Sequence, residues 1–382
     1  MSVAVPFDPS SLPMEPDTRT RERHASVEWA PASKRPVFND DYRLDPAFEP
    51  YIPSGGSWDE FSASYEEVTV HVTLFEDGVL FGHRFFVCDR QTPTLSADRT
   101  YLVKPQEISD RLDTLTKLEV PTGPTYLVGS NGGFRNHYHW MFQCLPSAIL
   151  LRNVARERGL DYRIVVPPVN AVCRYSLELA GIDPSECITL GPDQFISGVP
   201  LLYTSACAGR LSFRPSARLI EVIDPFRNAC LQRGDPSLQT RLYVSRRDSA
   251  GDKRRLENED ELTRVLEARG YQELLMAKLK LEDQVSAFAR AESIVAPHGA
   301  GLVNLMFTPS SARVVEIMPE HFRNAHFFRI AQMRGIGYTE VRSEISAIDE
   351  ENPRHGNVLR VDIEKVVAAL EHSEALGRQR AA

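Results

Sequence analysis

Three stretches of this sequence combine residue types with real chemical capacity at suggestive spacings. The first is Gly129-Ser130-Asn131-Gly132-Gly133-Phe134-Arg135-Asn136-His137-Tyr138-His139-Trp140. Its glycine-rich turn runs into a segment where helical spacing puts Asn136, His139, Trp140 and Gln143 near one face. An indole such as Trp140 can stack on a sugar ring. Either His137 or His139 can act as a general base, because imidazole titrates close to neutrality and its surroundings tune it. The second stretch is His298-Gly299-Ala300-Gly301, between the apolar run at 293–297 and a helical pattern holding Asn304 and Phe307. Glycine allows close backbone approach to a ligand, and the unpaired N–H groups opening a helix favour an anion. A tight turn around a satisfied histidine is the plainer reading of the same residues. The dinucleotide-binding fingerprint is absent, because Asn304 stands where its third glycine would be. The third stretch gathers Arg241, Arg246, Arg247, Lys253, Arg254 and Arg255 ahead of Asn258. The planar guanidinium fork binds phosphate through paired, charge-assisted hydrogen bonds. Glu316, ending the run Ala312-Arg313-Val314-Val315-Glu316, is a candidate acceptor for ribose hydroxyls, or else a carboxylate facing water.

These residues need a scaffold, and the surrounding pattern predicts one. From Thr125 onward, short apolar strands alternate with longer helical segments, which argues for an α/β fold with parallel sheets covered on both faces. The alternation runs twice, giving one domain before about residue 216 and a second after it. In an open parallel sheet the loops bearing Arg246 and His298 both lie at the carboxyl ends of strands, where ligands bind. Ahead of this, 65–88 alternates apolar and polar residues around Glu76-Asp77-Gly78, predicting a hairpin that turns there. Residues 1–57 are broken by nine prolines and lack apolar periodicity, predicting an extended arm partly wrapped on the body. Near the end, Asp362 can cap a helix whose Ile363, Val366, Val367 and Leu370 form an apolar stripe. The expected organisation is an arm at 1–57, a first domain at 58–215, a second at 216–345 and a tail at 346–382.

Composition narrows the function classes. The chain has 382 residues, 42% of them hydrophobic and 25% charged, as in ordinary globular proteins. Its net charge of −8 leaves no global positive field for nucleic acid or an anionic membrane, so any anion site is local. Six cysteines at scattered positions, without a Cys-x-x-Cys pair, read as free thiols in a reducing compartment. With neither a secretory leader nor an apolar run long enough to span a bilayer, the expected location is cytoplasmic, with peripheral contact at the inner face of the membrane left open. Asp-x-Asp, Gly-x-Ser-x-Gly, His-Glu-x-x-His and Walker A sequences are all missing, so a tightly bound catalytic metal is not expected.

Taken together, three blocks resemble glycosyltransferase family 61, long known as a domain of unknown function in capsular polysaccharide loci. They are Asn136-x-x-His139-Trp140 with Leu145-Pro146; Ser245-Arg246-Arg247 with Arg254-Arg255-Leu256-x-Asn258-Glu259; and His298-Gly299-Ala300-Gly301-x-x-Asn304 with Phe307 and Glu316. The resemblance implies a GT-B type enzyme, with two Rossmann-like domains facing each other across a cleft. The first domain would bind a glycan or other hydroxyl acceptor and the second a nucleotide-sugar donor, foremost a UDP-sugar. It further implies inversion at the anomeric carbon, no cofactor and no obligatory metal, and it leaves open a return of the tail helix onto the first domain. On this reading His139 takes the acceptor proton, with His137 second in line. Arg246, Arg254 or Arg255 and the backbone at Gly299–Gly301 stabilise the leaving diphosphate. His298 donates to the same phosphates and Asn304 holds the loop. A catalytically silent nucleotide- or glycan-binding partner in a polysaccharide-assembly complex is the alternative. A phosphoryl transferase fits less well, for want of metal-binding carboxylates and a lysine-bearing phosphate loop.

Overall fold

A computed structural model describes residues 6–31, 34–35, 42–43, 65–95, 104–207, 214–248, 254–320, 324–348, 350–351 and 357–381. Most of the predicted arm beyond residue 31, and Lys253, lie outside the described residues. The chain divides into two compact units, the first made of 1–33 and 66–226, the second of 34–65 and 227–382.

The first unit is built on a mixed sheet. Its main strands are β1 (Ala25–Ala30), β2 (Val70–Phe81), β3 (Phe86–Asp89), β4 (Thr125–Val128), β5 (Tyr162–Val166), β6 (Cys187–Thr189) and β7 (Gln194–Thr204), and the short pair Thr116–Lys117 runs parallel to the start of β7. They lie in the order β1-β2-β7-β4-β5-β6, with β3 paired to β2. The strands β7, β4, β5 and β6 run parallel, as the alternation with helices α1 (Leu145–Glu157) and α2 (Ala171–Leu179) requires. The strands β1, β2 and β3 extend the sheet antiparallel, so part of the predicted arm is itself a sheet strand.

The predicted hairpin turn is corrected. Glu76-Asp77-Gly78 sits inside β2, and the chain turns at residues 82–85, so that Phe81 pairs with Phe86. The Asp-Gly signal instead marks a bulge. Leu201 of β7 lies opposite Phe75 and Val199 opposite Gly78, leaving an extra residue on β2. Gly78 is needed there for close approach, since a Cβ would stand 2.5 Å from Cγ of Leu201. The slip also reverses the faces of the strand. Phe75 and Leu80, of opposite parity, share one core with Tyr126, Val165 and Ile196, while Val79 and Phe81 pack with Phe86, Ile108 and Phe195.

In the second unit the strands are β8 (Arg241–Ser245), β9 (Gln272–Leu275), β10 (Ser293–Pro297), β11 (Arg313–Pro319), β12 (Gly337–Ala347) and β13 (Val358–Val361). Helix α3 (Arg218–Arg233) leads in from the first unit, followed by α4 (Glu259–Glu267), α5 (Leu281–Ala289), α6 (His326–Arg334) and α7 (Ile363–Ala381). The sheet order is β9-β8-β10-β11-β12-β13, parallel except for β13, and the pair Tyr42–Arg43 adds to β12. This order, second-first-third-fourth-fifth, is doubly wound but differs from the 3-2-1-4-5-6 order of dinucleotide-binding sheets. Its winding reverses between β8 and β10. The stripe on α7 docks on its own unit, not on the first domain: Val366 and Leu370 join Tyr243, Val295, Val315, Val341 and Leu359 in one core. Five cysteines, Cys88, Cys144, Cys173, Cys187 and Cys230, are free thiols; the side chain of Cys207 lies outside the description. Among the described residues no helix is long and apolar enough to cross a membrane.

Candidate active site

In the second unit, the candidate residues converge where the winding reverses. Ligands of open α/β sheets bind outside the carboxyl ends of the two strands flanking that point. Here those ends are Ser245 and Pro297, followed by Arg246 and His298. The end of β8 is held by Glu259, the first residue of α4, whose buried carboxylate accepts from Tyr243 Oη at 2.8 Å, Ser245 Oγ at 2.7 Å and the Arg246 backbone N–H at 3.3 Å. Arg246 then lays its guanidinium across Gly299. A Cβ at Gly299 would overlap Nη1 of Arg246 and stand 3.1 Å from its Cζ. Glycine thus leaves the Arg246 guanidinium room to lie against the backbone here. Its φ of −179° is ordinary extended backbone.

Arg254 has φ +58°, in the left-handed region that a non-glycine residue rarely adopts, a form of local strain that clusters at functional sites. Burial lowers its pKa to about 10, and Arg246 adds to the effect while Glu316 opposes it. Burial likewise lowers the pKa of Arg246, against the raising effects of Glu259 and Asp248. Two partly desolvated guanidinium groups thus lie close enough for Arg246 to lower the pKa of Arg254.

His298 sits beside them, its Nδ1 2.5 Å from Oε1 of Glu316, and Tyr338 Oη donates to Oε2 at 2.7 Å. Burial, then Arg254 and Arg246, pushes the His298 pKa well below the ordinary value. The ring is thus neutral at pH 7, with Nδ1–H on Glu316 and a lone pair on Nε2. Nε2 can donate a hydrogen bond only after the ring takes up a second proton.

Several sequence expectations change here. Glu316 is fully buried in the middle of β11, with its carboxylate oxygens bonded to His298 and Tyr338, so it orients His298 and is not placed to receive a ribose. Asn258 spends its amide on the backbone of Val361, donating to the carbonyl at 2.8 Å and accepting from the N–H at 3.2 Å. Arg247 turns to Glu273 at 3.0 Å, to Asp260 and to Thr263. Arg255 is exposed, its carbonyl accepting from Leu359 N at 2.8 Å, and Arg241 pairs with Glu374. Residues 300–307 form a 3₁₀ segment, in which Asn304 Nδ2 donates to the Gly301 carbonyl at 3.0 Å. The cluster thus comprises Arg246, Arg254, His298, Gly299, Ala300 and Gly301, with Glu316, Tyr338 and Glu259 behind it.

The second set of candidates lies in the first unit. Asn136 caps a short helix, accepting from Tyr138 N at 2.9 Å, so its oxygen is committed to the backbone. The helix opens at His137–His139 and widens into a π segment at 140–144, a device frequent at functional sites. Trp140 points into the core, 2% exposed, its Nε1–H on Ser176 Oγ at 2.8 Å, and cannot stack on a sugar. Its apolar bulk outweighs its position beside His139.

His139 is held by a chain of bonds. Gly133 N–H donates to Asn131 Oδ1 at 2.9 Å, and Asn131 Nδ2 donates to Gln143 Oε1 at 2.9 Å, which also meets His139 Nδ1 at 2.9 Å. Because Oε1 only accepts, Nδ1 carries the hydrogen and the Nε2 lone pair is the basic one. Burial lowers the His139 pKa and the Gln143 bond partly restores it, while burial alone lowers that of His137. The neutral ring therefore prevails at pH 7. Asn131 and Tyr338 were not singled out from sequence; the glycine turn beside Asn131 and the parity of β12 were the available signals.

The chain matches the family model described as Glycosyltransferase 61 over residues 137–315, a stretch containing His139, Arg246, Arg254 and His298. Similar proteins include the beta-1,2-xylosyltransferase of Arabidopsis thaliana, 34% identical over 64 residues, covering 17% of this chain and 12% of that protein. The beta-1,2-xylosyltransferase XYXT1 of Oryza sativa subsp. japonica is 34% identical over 93 residues, covering 23% of this chain and 19% of that protein. These matches bear out the resemblance to glycosyltransferase family 61; the chain spans less than a fifth of the length of either relative.

Proposed function

We propose that the protein is a glycosyltransferase of the family 61 type that moves a sugar from a nucleotide-sugar donor to a hydroxyl of a glycan or other acceptor, with inversion and without an obligatory metal. The observation that carries the reading is the pair Arg246 and Arg254 beside His298 and Gly299, at the point where the doubly wound sheet reverses. Guanidinium groups stabilise charge growing on a leaving diphosphate, the task a metal ion performs elsewhere. In the first unit His139 supplies a neutral imidazole of fixed tautomer, suited to accept the proton of the attacking hydroxyl at Nε2 as the C1–oxygen bond forms and the bond to the diphosphate breaks. The family 61 match and the two xylosyltransferases favour this over phosphoryl transfer. A GT-B arrangement, with the second unit holding the donor and the first the acceptor, belongs to the same reading.

The test is a thermal-shift screen of the full chain against UDP, GDP, CMP, ADP and their sugar conjugates, with and without EDTA. A ligand at 100 times its Kd stabilises the native state by about 2.7 kcal/mol. A shift with one nucleoside diphosphate that EDTA leaves intact is the expected result. No shift with any nucleotide overturns the donor assignment and favours a silent, glycan-binding partner.

A further inference from the structure

The turn at residues 82–85 draws two sparsely populated conformations together: Arg84 has φ +60° and Phe85 φ +53°. Consecutive left-handed residues without glycine are costly, of order 1–3 kcal/mol each, and persist only where the surroundings impose them. Phe85 is anchored in the core of the first unit and meets Phe134 at 6.4 Å between ring centroids. With Phe85 held inside, the turn places Arg84 on the wall of a cavity of about 160 Å³, also lined by Gly82, His83, Gly132, Phe134 and Arg135. That volume is room for about five waters. It suits a phosphoryl or carboxylate group.

The wall is basic in a protein of net charge −8. Arg135 stacks on Phe134, with Cζ 5.6 Å from the ring centroid, and among the described residues makes no hydrogen bond or ion pair. Arg84 spends Nε and Nη2 on one oxygen of Glu107, at 3.1 and 3.0 Å, and its Nη1 bonds to nothing among the described residues. His83 is tied down on both sides, with Arg111 Nη1 donating to its Nδ1 at 3.0 Å and its Nε2–H reaching Glu107 at 3.1 Å. Glu107 also draws Lys104 at 2.9 Å and Asp193 pairs with Arg111, so two carboxylates face Arg84, Arg135, Arg111 and Lys104 and the excess is positive. The same loop, Gly132 to Arg135, leads directly into Asn136 and the helix carrying His139.

We infer that this cavity is an anion subsite for the acceptor: a phosphate or carboxylate on the acceptor binds between Arg84 and Arg135 and holds its hydroxyl near His139. The inference rests on the glycosyltransferase reading for the word acceptor, and on the cavity alone for the anion. The oxyanion belongs either to a phosphorylated acceptor or to an acidic sugar.

Isothermal titration calorimetry at low ionic strength on full-length R246Q protein tests this, since that variant weakens the proposed donor phosphate site. The probes are inorganic phosphate, glucuronic acid and, as the neutral control, glucose. Saturable binding of at least one oxyanion but not of glucose is expected, and adding Arg135→Gln weakens it at least tenfold. Among the described residues Arg135 holds no ion pair, so R135Q is expected to leave the fold intact, and an unchanged melting temperature verifies this. Binding of phosphate alone identifies a phosphorylated acceptor, and binding of glucuronate alone an acidic sugar. Absence of oxyanion binding, or affinity unchanged by R135Q, overturns the inference. Failure of wild-type protein to bind any nucleotide is a separate result, and counts against the donor assignment alone.

Discussion

Gly299→Ala is a change of one methyl group whose consequence is set by Arg246. The backbone at 299 is extended, with φ −179°, so alanine fits without strain, and the loss of glycine's freedom in the unfolded chain contributes about 0.4–1 kcal/mol of stability. The new Cβ, however, occupies the place of the Arg246 guanidinium, a flexible end that swings away more readily than the backbone moves. The melting temperature therefore stays level or rises slightly, while a charge-assisted contact to the diphosphate worth roughly 1.5–3 kcal/mol is lost. That corresponds to a Kd about 10- to 150-fold weaker for whichever nucleoside diphosphate binds the wild type. Arg246→Gln has the same effect, and G299A with R246Q together lose little more than either alone, since both remove one interaction. Calorimetric titration of the four proteins closes the cycle. Wild-type affinity in G299A, or fully additive losses in the double variant, refutes the claim that Gly299 is there to seat Arg246 against a phosphate.

Further outcomes follow from the other geometry. His139→Ala lowers turnover by roughly 10²–10⁴-fold with donor Kd unchanged, once an acceptor is in hand. Because burial lowers the His139 pKa below 6.5, the base is present above that value, and kcat/KM falls as pH drops through it; an acid limb centred above 6.5 contradicts the assignment. Gln143→Leu, which frees the tautomer of His139, lowers kcat more than it raises KM. His298 is held neutral by burial and the two arginines and gains a proton beside a diphosphate, so binding tightens as pH falls and takes up protons, read from the dependence of binding enthalpy on buffer. Trp140→Phe removes the bond to Ser176 and costs about 1–3 kcal/mol in urea denaturation without changing sugar binding, because the ring belongs to the core.

The winding of the second unit was legible in the sequence because each apolar strand is followed by a helix with its own stripe, and the residues after strands β8 and β10 fall where such sheets bind ligands. Side-chain direction was harder to read. Trp140 and His139 are neighbours in sequence, yet one is a pillar of the core and the other a candidate base, and only the π segment and Ser176 separate them. Glu316 lies mid-strand, and its partner Tyr338 is 22 residues away, reached through the parallel register of β11 and β12. The Asp-Gly signal at 77–78 was ambiguous between turn and bulge, and contact with Leu201, 123 residues further on, decided it.

The chain passes from the first unit to the second and back before returning for good, and this bears on how it can be made. Tyr42–Arg43 pairs with Tyr338–Thr339, 296 residues later in sequence. A ribosome adding about 5–20 residues per second needs roughly 15–60 s to deliver that partner. The early segment therefore waits for that partner while the rest of the chain is made, and translation speed over the second half sets how long it must be kept from mispairing. Severing the chain near residue 226 leaves the second unit without a strand it borrows from the amino-terminal end, so two separately expressed halves are expected to recombine poorly.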